Sequence, residues 1–404
     1  MKKMVAVASV AALVTGFAAA EAKFYVNYRT GIEVLSHELG KNTTVLNSDT
    51  TSRSTSDSLS FKGSADFGGV ELELTADGSM AKYDTKGISL AKYNGWINFG
   101  DFMFKSGRWD ARAVGRVTND MGNHESGFWG EIKKPGLANG LGTSGNGVDI
   151  SQQSNKKLTN MLAYNNKDLG LEARVAFQEN DTAKDYGQSA SDDWVFANDV
   201  WFAEVGYTIP DIGRVLVNAK TSYKDQAFGI FVEPKLADLK QLTSLVGFTY
   251  EQDSSAKNAK GDAQKEVALA ADARVRYAID ENLSVTGMFN WTAGDVATPN
   301  TDVKTAKFAT WAMLNATYKL NDTFKPFCSV IYSSGKAAGA TAALGFKDDF
   351  TASLRVYPGV EIYNTKNANI ITGVVWDANG FIEGSAKKEC TKKVTVPVLM
   401  RIKF

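Results

Sequence analysis

Cysteine and histidine are nearly absent from this chain, two of each among 404 residues, and the chemistry that leans on them is correspondingly limited. His37 and His124 stand in unrelated contexts. They offer neither a metal cage nor a base held beside a nucleophile, so no catalytic, cofactor-binding or metal-ligating residues are assigned and no enzyme is expected. Cys328 lies in an apolar segment and Cys390 in a polar one, which yields no disulfide framework and leaves their pairing open. Net charge is missing too. The 45 basic residues balance 45 acidic ones, which removes the basic face that a nucleic-acid partner would need. Beyond residue 22 no apolar run approaches the roughly 20 residues of a membrane-spanning helix. Proline is scarce, 7 against 36 glycines and 22 phenylalanines, which suits long strands because proline interrupts a hydrogen-bonded ladder.

The start of the chain is organised differently from the rest. Lys2 and Lys3 precede an apolar stretch from Met4 to Phe17, followed by small residues from Ala18 to Ala22. That is the three-part layout of a secretory signal peptide. Cleavage after Ala20 or after Ala22 satisfies the small-x-small requirement. The second is favoured, giving a leader over 1–22 and one domain over 23–404.

Along that domain the dominant signal is a period of two, the repeat of a strand with one apolar and one polar face. Phe24, Val26, Tyr28, Ile32 and Val34 oppose Asn27, Arg29 and Glu33. Val70, Leu72, Leu74 and Met80 oppose Glu71, Glu73, Thr75, Asp77 and Ser79. Leu171, Ala173, Val175 and Phe177 oppose Glu172, Arg174 and Gln178; Leu269, Ala271, Ala273, Val275 and Tyr277 oppose Asp272, Arg274 and Arg276. Short turns such as Phe99-Gly100-Asp101, Pro210-Asp211-Ile212-Gly213, Asp280-Glu281-Asn282 and Asn321-Asp322 alternate with longer polar stretches at 35–57, 111–157, 179–197, 252–265, 294–304 and 378–391. A transmembrane barrel places short turns on one side and long loops on the other, and its alternating spans escape hydropathy scans. The expected fold is therefore all-β: an antiparallel up-and-down transmembrane barrel of about 16 to 18 strands, with 224–241 deciding between those counts. Aromatic residues near strand ends, among them Phe67, Phe99, Phe102, Tyr164, Tyr207, Tyr277, Trp291, Tyr318, Phe324 and Tyr357, fit the girdles of such a barrel.

The final segment carries the most specific motif. Val394, Val396, Val398, Met400, Ile402 and Phe404 share one parity, against Lys393, Thr395, Pro397, Leu399, Arg401 and Lys403. In this the sequence resembles bacterial outer-membrane porins, whose last strand alternates and ends in Phe. The resemblance extends to Leu162-Ala163-Tyr164 and Gly170-Leu171-Glu172-Ala173-Arg174-Val175, which look like a porin hairpin. It implies that Ile402 and Phe404 form a signal read by the barrel assembly machinery, and that the longest loop, about 111–157 after the fifth strand, folds inward as a constriction. It also implies outer-membrane lipid and small hydrophilic solutes as partners, and allows a homo-oligomer. Pro397 departs from a regular ladder, and a bulge or an unpaired position is expected beside it.

The chemistry that remains is electrostatic. Charges on the inward parity would line a water-filled pore: Arg29, Glu33, Lys62, Asp66, Glu71, Glu73, Asp77, Lys92, Glu172, Arg174, Asp272, Arg274, Arg276, Lys319, Arg355 and Arg401. Arg108, Arg112, Arg116, Asp120, Glu125 and Glu131 lead into or lie within the candidate constriction loop and bring both signs. The stretch Gly140-Leu141-Gly142-Thr143-Ser144-Gly145 matches a dinucleotide fingerprint only literally, since neither strand nor helix flanks it. The expected function is passive diffusion of small hydrophilic solutes and ions, with weak ion selectivity. The alternative is a surface protein whose barrel anchors binding loops.

Overall fold

The computed structural model describes residues 21–40, 44–49, 57–76, 88–108, 159–178, 200–221, 225–235, 239, 241–297, 304–336, 350–362, 368–379 and 391–403. The strands are β1 (Glu21–Leu39), β2 (Thr44–Asp49), β3 (Asp57–Ala65), β4 (Gly68–Ala76), β5 (Ile88–Phe99), β6 (Phe102–Arg108), β7 (Thr159–Asn166), β8 (Leu171–Gln178), β9 (Val200–Ile209) and β10 (Gly213–Thr221). They continue as β11 (Asp225–Pro234), β12 (Leu242–Lys257), β13 (Ala263–Ala278), β14 (Leu283–Ala297), β15 (Lys304–Tyr318), β16 (Phe324–Lys336), β17 (Phe350–Ile362), β18 (Ala368–Gly373), β19 (Val375–Asn379) and β20 (Thr391–Lys403).

These twenty segments fill eighteen places in one antiparallel sheet, because β2 and β3 pair successive stretches of β1, and β18 and β19 share one register between β17 and β20. The region 224–241, which decides between the two counts, contributes β11. β20 pairs with β1 from Asn27 opposite Lys403 to Leu39 opposite Lys392, which returns the last strand to the first and closes the ring. Closure removes both sheet edges, so the ladder leaves no exposed row of backbone donors and acceptors.

Pro397 sits inside that closing seam. Glu33 lies opposite Pro397 and Leu35 opposite Val396, so Val34 is the extra residue of a bulge. On the other side the interruption between β18 and β19 falls beside Pro397, bracketed by the pairs Thr372 with Val398 and Val375 with Thr395. Thr372 Oγ1 donates to the Pro397 carbonyl at 2.8 Å. Both neighbours thus yield where the N–H is missing. The bulge also corrects the parity read from sequence: Val34 does not continue the row of Tyr28 and Ile32, and Leu35, opposite Val396, resumes it.

Within each strand one parity is shielded and the other exposed. In β9 Phe202, Glu204 and Gly206 are buried while Trp201, Val205 and Tyr207 are exposed. Side chains on the concave face of a ring converge and those on the convex face splay, so the shielded parity is the inner one. The outer face carries the large apolar groups, such as Val246 at 53% and Leu314 at 56% exposure. Phe99 stacks on Phe102, which meets Tyr164 at 5.0 Å, and with exposed Phe67, Tyr207, Tyr277, Tyr318 and Phe324 they ring the end where the short turns lie. Tyr357 is not part of that girdle: it is fully buried on the inner parity.

The connections alternate as expected, with corrections. Turns at 66–67, 100–101, 167–170, 210–212, 279–282 and 319–323 share one end of the ring. At the other end the polar stretch 252–265 is mostly strand, because β12 runs to Lys257 and β13 starts at Ala263. Likewise β1 reaches Leu39 and β2 occupies part of 35–57, and β14 extends to Ala297. His37 is accordingly a strand residue, opposite Thr44 and Val394. Polar side chains did not stop these strands, because the inner face tolerates them along its whole length.

The two faces make a direct prediction. Phe289→Arg, near the middle of β14 on the outer face, should destabilise the barrel in lipid vesicles by about 2 to 4 kcal/mol, read from urea unfolding. A change well below that would place Phe289 away from hydrocarbon.

Candidate functional site: the inner face of the ring

The inner face is built from cross-strand rungs, pairs whose Cβ atoms the register holds about 4.5 to 5.5 Å apart. Glu73 on β4 lies opposite Lys92 on β5 and pairs with it at 2.6 Å. Arg174 on β8 lies opposite Glu204 on β9 and donates to its carboxylate, which also accepts from Asn218 Nδ2 at 3.4 Å. Arg214 on β10 joins two acids, Glu172 on β8 and Glu233 on β11, the latter at 3.3 Å. Glu172 reaches Arg214 across β9 because Gly206 stands between them; a β-carbon there would overlap the carboxylate.

On the far side of the ring, Arg355 on β17 and Asp377 on β19 form a two-point fork, Nε to Oδ1 at 2.6 Å and NH2 to Oδ2 at 2.9 Å. Both side chains are almost fully shielded, so this pair is stronger and more specific than an exposed one. Lys325 on β16 and Glu361 on β17 add a rung at 3.3 Å. The arrangement can attract and orient charged groups. Among the described residues it gathers no group of three His, Cys, Asp or Glu side chains.

A second feature of this face was not anticipated. Phe202, Leu216, Phe231, Leu245, Met288, Trp311, Met313 and Ile331 form one apolar cluster with Met161 and neighbouring alanines. These residues occupy the inner parity of β7 to β16. Phe231 lies flat against the wall because Gly229 and Gly247 flank it; a β-carbon at either would overlap its ring. The sequence does hold a signal for this band, since Val215-Leu216-Val217 and Ile230-Phe231-Val232 are apolar on both parities.

The structure places the expected residues as follows. Lys62, Glu71, Glu73, Lys92, Glu172, Arg174, Arg274, Arg276 and Arg355 lie on the inner face of strands. Arg29, Glu33, Asp272 and Arg401 hold inner register positions, Arg29 opposite Arg401, Glu33 opposite Pro397 and Asp272 opposite Gly247 and Asn290. Two candidates are corrected. Asp66 belongs to the β3–β4 turn, where its carbonyl accepts from Asn98 at 3.0 Å. Lys319 belongs to the β15–β16 turn and pairs with Asp322 at 2.8 Å; that hydrogen bond raises the lysine pKa and lowers the aspartate's. Arg108 ends β6 opposite Tyr93, on the outer register. Ile402 pairs with Tyr28 and Ala368 in the closing seam. Asp77, Arg112, Arg116, Asp120, Glu125, Glu131, His124, Cys390 and Phe404 lie outside the described residues. Cys328 is an exposed free thiol on β16. Sequence reading missed Arg214, Glu204, Glu233, Lys325, Glu361 and Asp377, although all follow the same alternation.

No protein-family model matches the chain, and no curated protein matches it in sequence. Solved structures do. The anion-selective porin from Comamonas acidovorans aligns with a TM-score of 0.52 at 12% identity, covering 95% of this chain and 100% of that one. OccK2 and OccK3 of Pseudomonas aeruginosa align with TM-scores of 0.52 and 0.51 at 10% and 11% identity, covering 95% of this chain and 98% and 96% of theirs. The chain has the fold of outer-membrane porin barrels.

The shielded fork is testable by a mutant cycle. Arg355→Ala should cost about 3 to 5 kcal/mol by leaving Asp377 buried and uncompensated, whereas the double variant with Asp377→Ala should recover much of that loss. A double variant that costs the sum of the two single variants would show the side chains to be independent.

Proposed function

We propose that the chain is an outer-membrane pore through which small hydrophilic solutes and ions diffuse passively, with no covalent chemistry. The observation that supports this best is the segregation of the two faces, charged rungs inside the closed ring and large apolar groups outside. Charges line an interior favourably where water fills it, and a barrel of this strand number leaves room for a channel. The inner residues named above are then pore-lining. The porin fold of the neighbours supports the same reading.

Purified protein inserted in a planar bilayer should give stepwise conductance in potassium chloride. Persistent silence from protein with full β-sheet circular dichroism and a closed, protease-resistant barrel would overturn the reading.

The leader belongs to the same proposal, with its boundary revised. Glu21 and Ala22 pair with Ser64 and Gly63 at the start of β1, so cleavage after Ala20 keeps the strand whole and cleavage after Ala22 shortens it. Mass spectrometry of the exported protein should find Glu21 as the first residue; a chain starting at Lys23 would favour the other boundary.

A further inference from the structure

One part of the outer face is hollow where the rest bristles with large side chains. Ala22, Gly63, Val70, Gly95 and Ser106 follow one another across β1, β3, β4, β5 and β6 in a single outer row. The small members of that row form the floor of a depression of about 440 Å³, and exposed Phe67, Val70, Ile97 and Phe104 stand around it. β-carbons at Gly63 and Gly95 would meet nothing closer than 3.8 Å and 3.5 Å, and neither residue has a positive φ. The backbone does not require these glycines; their effect is to leave room.

The row's one hydroxyl is engaged, since Ser106 Oγ donates to Asn160 Oδ1 at 2.8 Å, so the floor suits a hydrocarbon occupant. Two such occupants can reach the outer face, a lipid chain or a second barrel. A second copy presents a convex wall, which would rest on the rims at Phe67, Ile97 and Phe104 and leave the glycine floor uncovered. A flexible methylene chain follows the floor instead. Between apolar surfaces in a bilayer the gain comes from close packing and not from release of water, and an unfilled hollow forfeits those contacts.

The depression lies at the short-turn end, beside the aromatic girdle, where lipid headgroups meet water. Asp66 stands between Ala65 and Phe67 of the lining, and Asp101 holds the neighbouring β5–β6 turn; both are exposed. Asp101 accepts from Asn166 Nδ2 at 2.7 Å, but among the described residues neither carboxylate pairs with a cation. An ammonium headgroup is attracted to that rim, and a headgroup with only negative charge is repelled.

We propose that this depression binds an acyl chain of an ethanolamine phospholipid, whose ammonium group is held by Asp66 and Asp101. Barrels set their short turns on the periplasmic side, so the lipid belongs to the periplasmic leaflet. The proposal rests on the barrel's lying in a membrane and not on its conducting.

Native mass spectrometry tests it on the full barrel in detergent, supplied with palmitoyl-oleoyl phosphatidylethanolamine or the corresponding phosphatidylglycerol. The wild type should retain one ethanolamine lipid per chain and several-fold less of the glycerol lipid. Gly95→Leu and Gly63→Leu, which fill the depression, should each lose that adduct. Ala316→Leu, on the outer register of β15 opposite Cys328, should keep it. Asp66→Asn combined with Asp101→Asn should keep binding but equalise the two lipids; a preference that persists would overturn the headgroup assignment. No adduct in the wild type, or equal retention by wild type and a filled variant folded by circular dichroism, would overturn the site. So would a wild-type oligomer that the filled variants dissociate, because the depression would then belong to a second copy. None of these outcomes touches the conductance that tests the pore reading.

Discussion

A backbone amide or carbonyl left unpaired in hydrocarbon costs several kcal/mol, and the rest of this molecule follows from meeting that demand. A sheet satisfies its interior groups but not its edges, so β1 must meet β20. The seam where they meet holds the one residue least suited to it, Pro397. Its missing donor is accommodated by a bulge at Val34 on one side and an interruption between β18 and β19 on the other. Local irregularity at the seam thus preserves pairing over its remaining length.

Closure divides every strand into two faces with different solvents, and the inner one is governed by cross-strand distance. Arg174 meets Glu204, and Arg355 meets Asp377, because antiparallel register brings those positions side by side. Longer reaches need a missing side chain. Glu172 passes Gly206 to reach Arg214, Phe231 rests between Gly229 and Gly247, and Trp96 lies over Gly69. Here glycine acts as a spacer on the pore wall, which gives the abundance of that residue a role beyond turns.

The period of two was legible in the sequence because a strand between unlike solvents produces it, and counting it gave 16 to 18 strands, a range that holds the eighteen places of the ring. Strand ends were less legible. The stretches 252–265 and 294–304 look like loops by composition, yet polar residues on the inner parity of β12 to β15 are compatible with continued pairing. The parity rule also misassigned Lys319, since alternation carries on into a turn where the side chain meets Asp322 instead of the inner face. The inner apolar cluster around Phe231 and Leu245 was missed because the rule equates inward with polar. The ion pairs themselves could not be read, because partners depend on register, and register depends on bulges at single residues such as Val34 and Ala91.

The same dependence explains why net charge says little about what such a wall does. The chain is balanced, 45 basic residues against 45 acidic, and most of the inner charges described here are balanced again at contact distance. The field of two opposite charges a few ångströms apart falls off faster than that of either alone, and salt screens it further over about 8 to 10 Å. A passing ion therefore senses the rungs chiefly when it touches them. What such a wall does is therefore decided rung by rung, by which partners the register sets side by side.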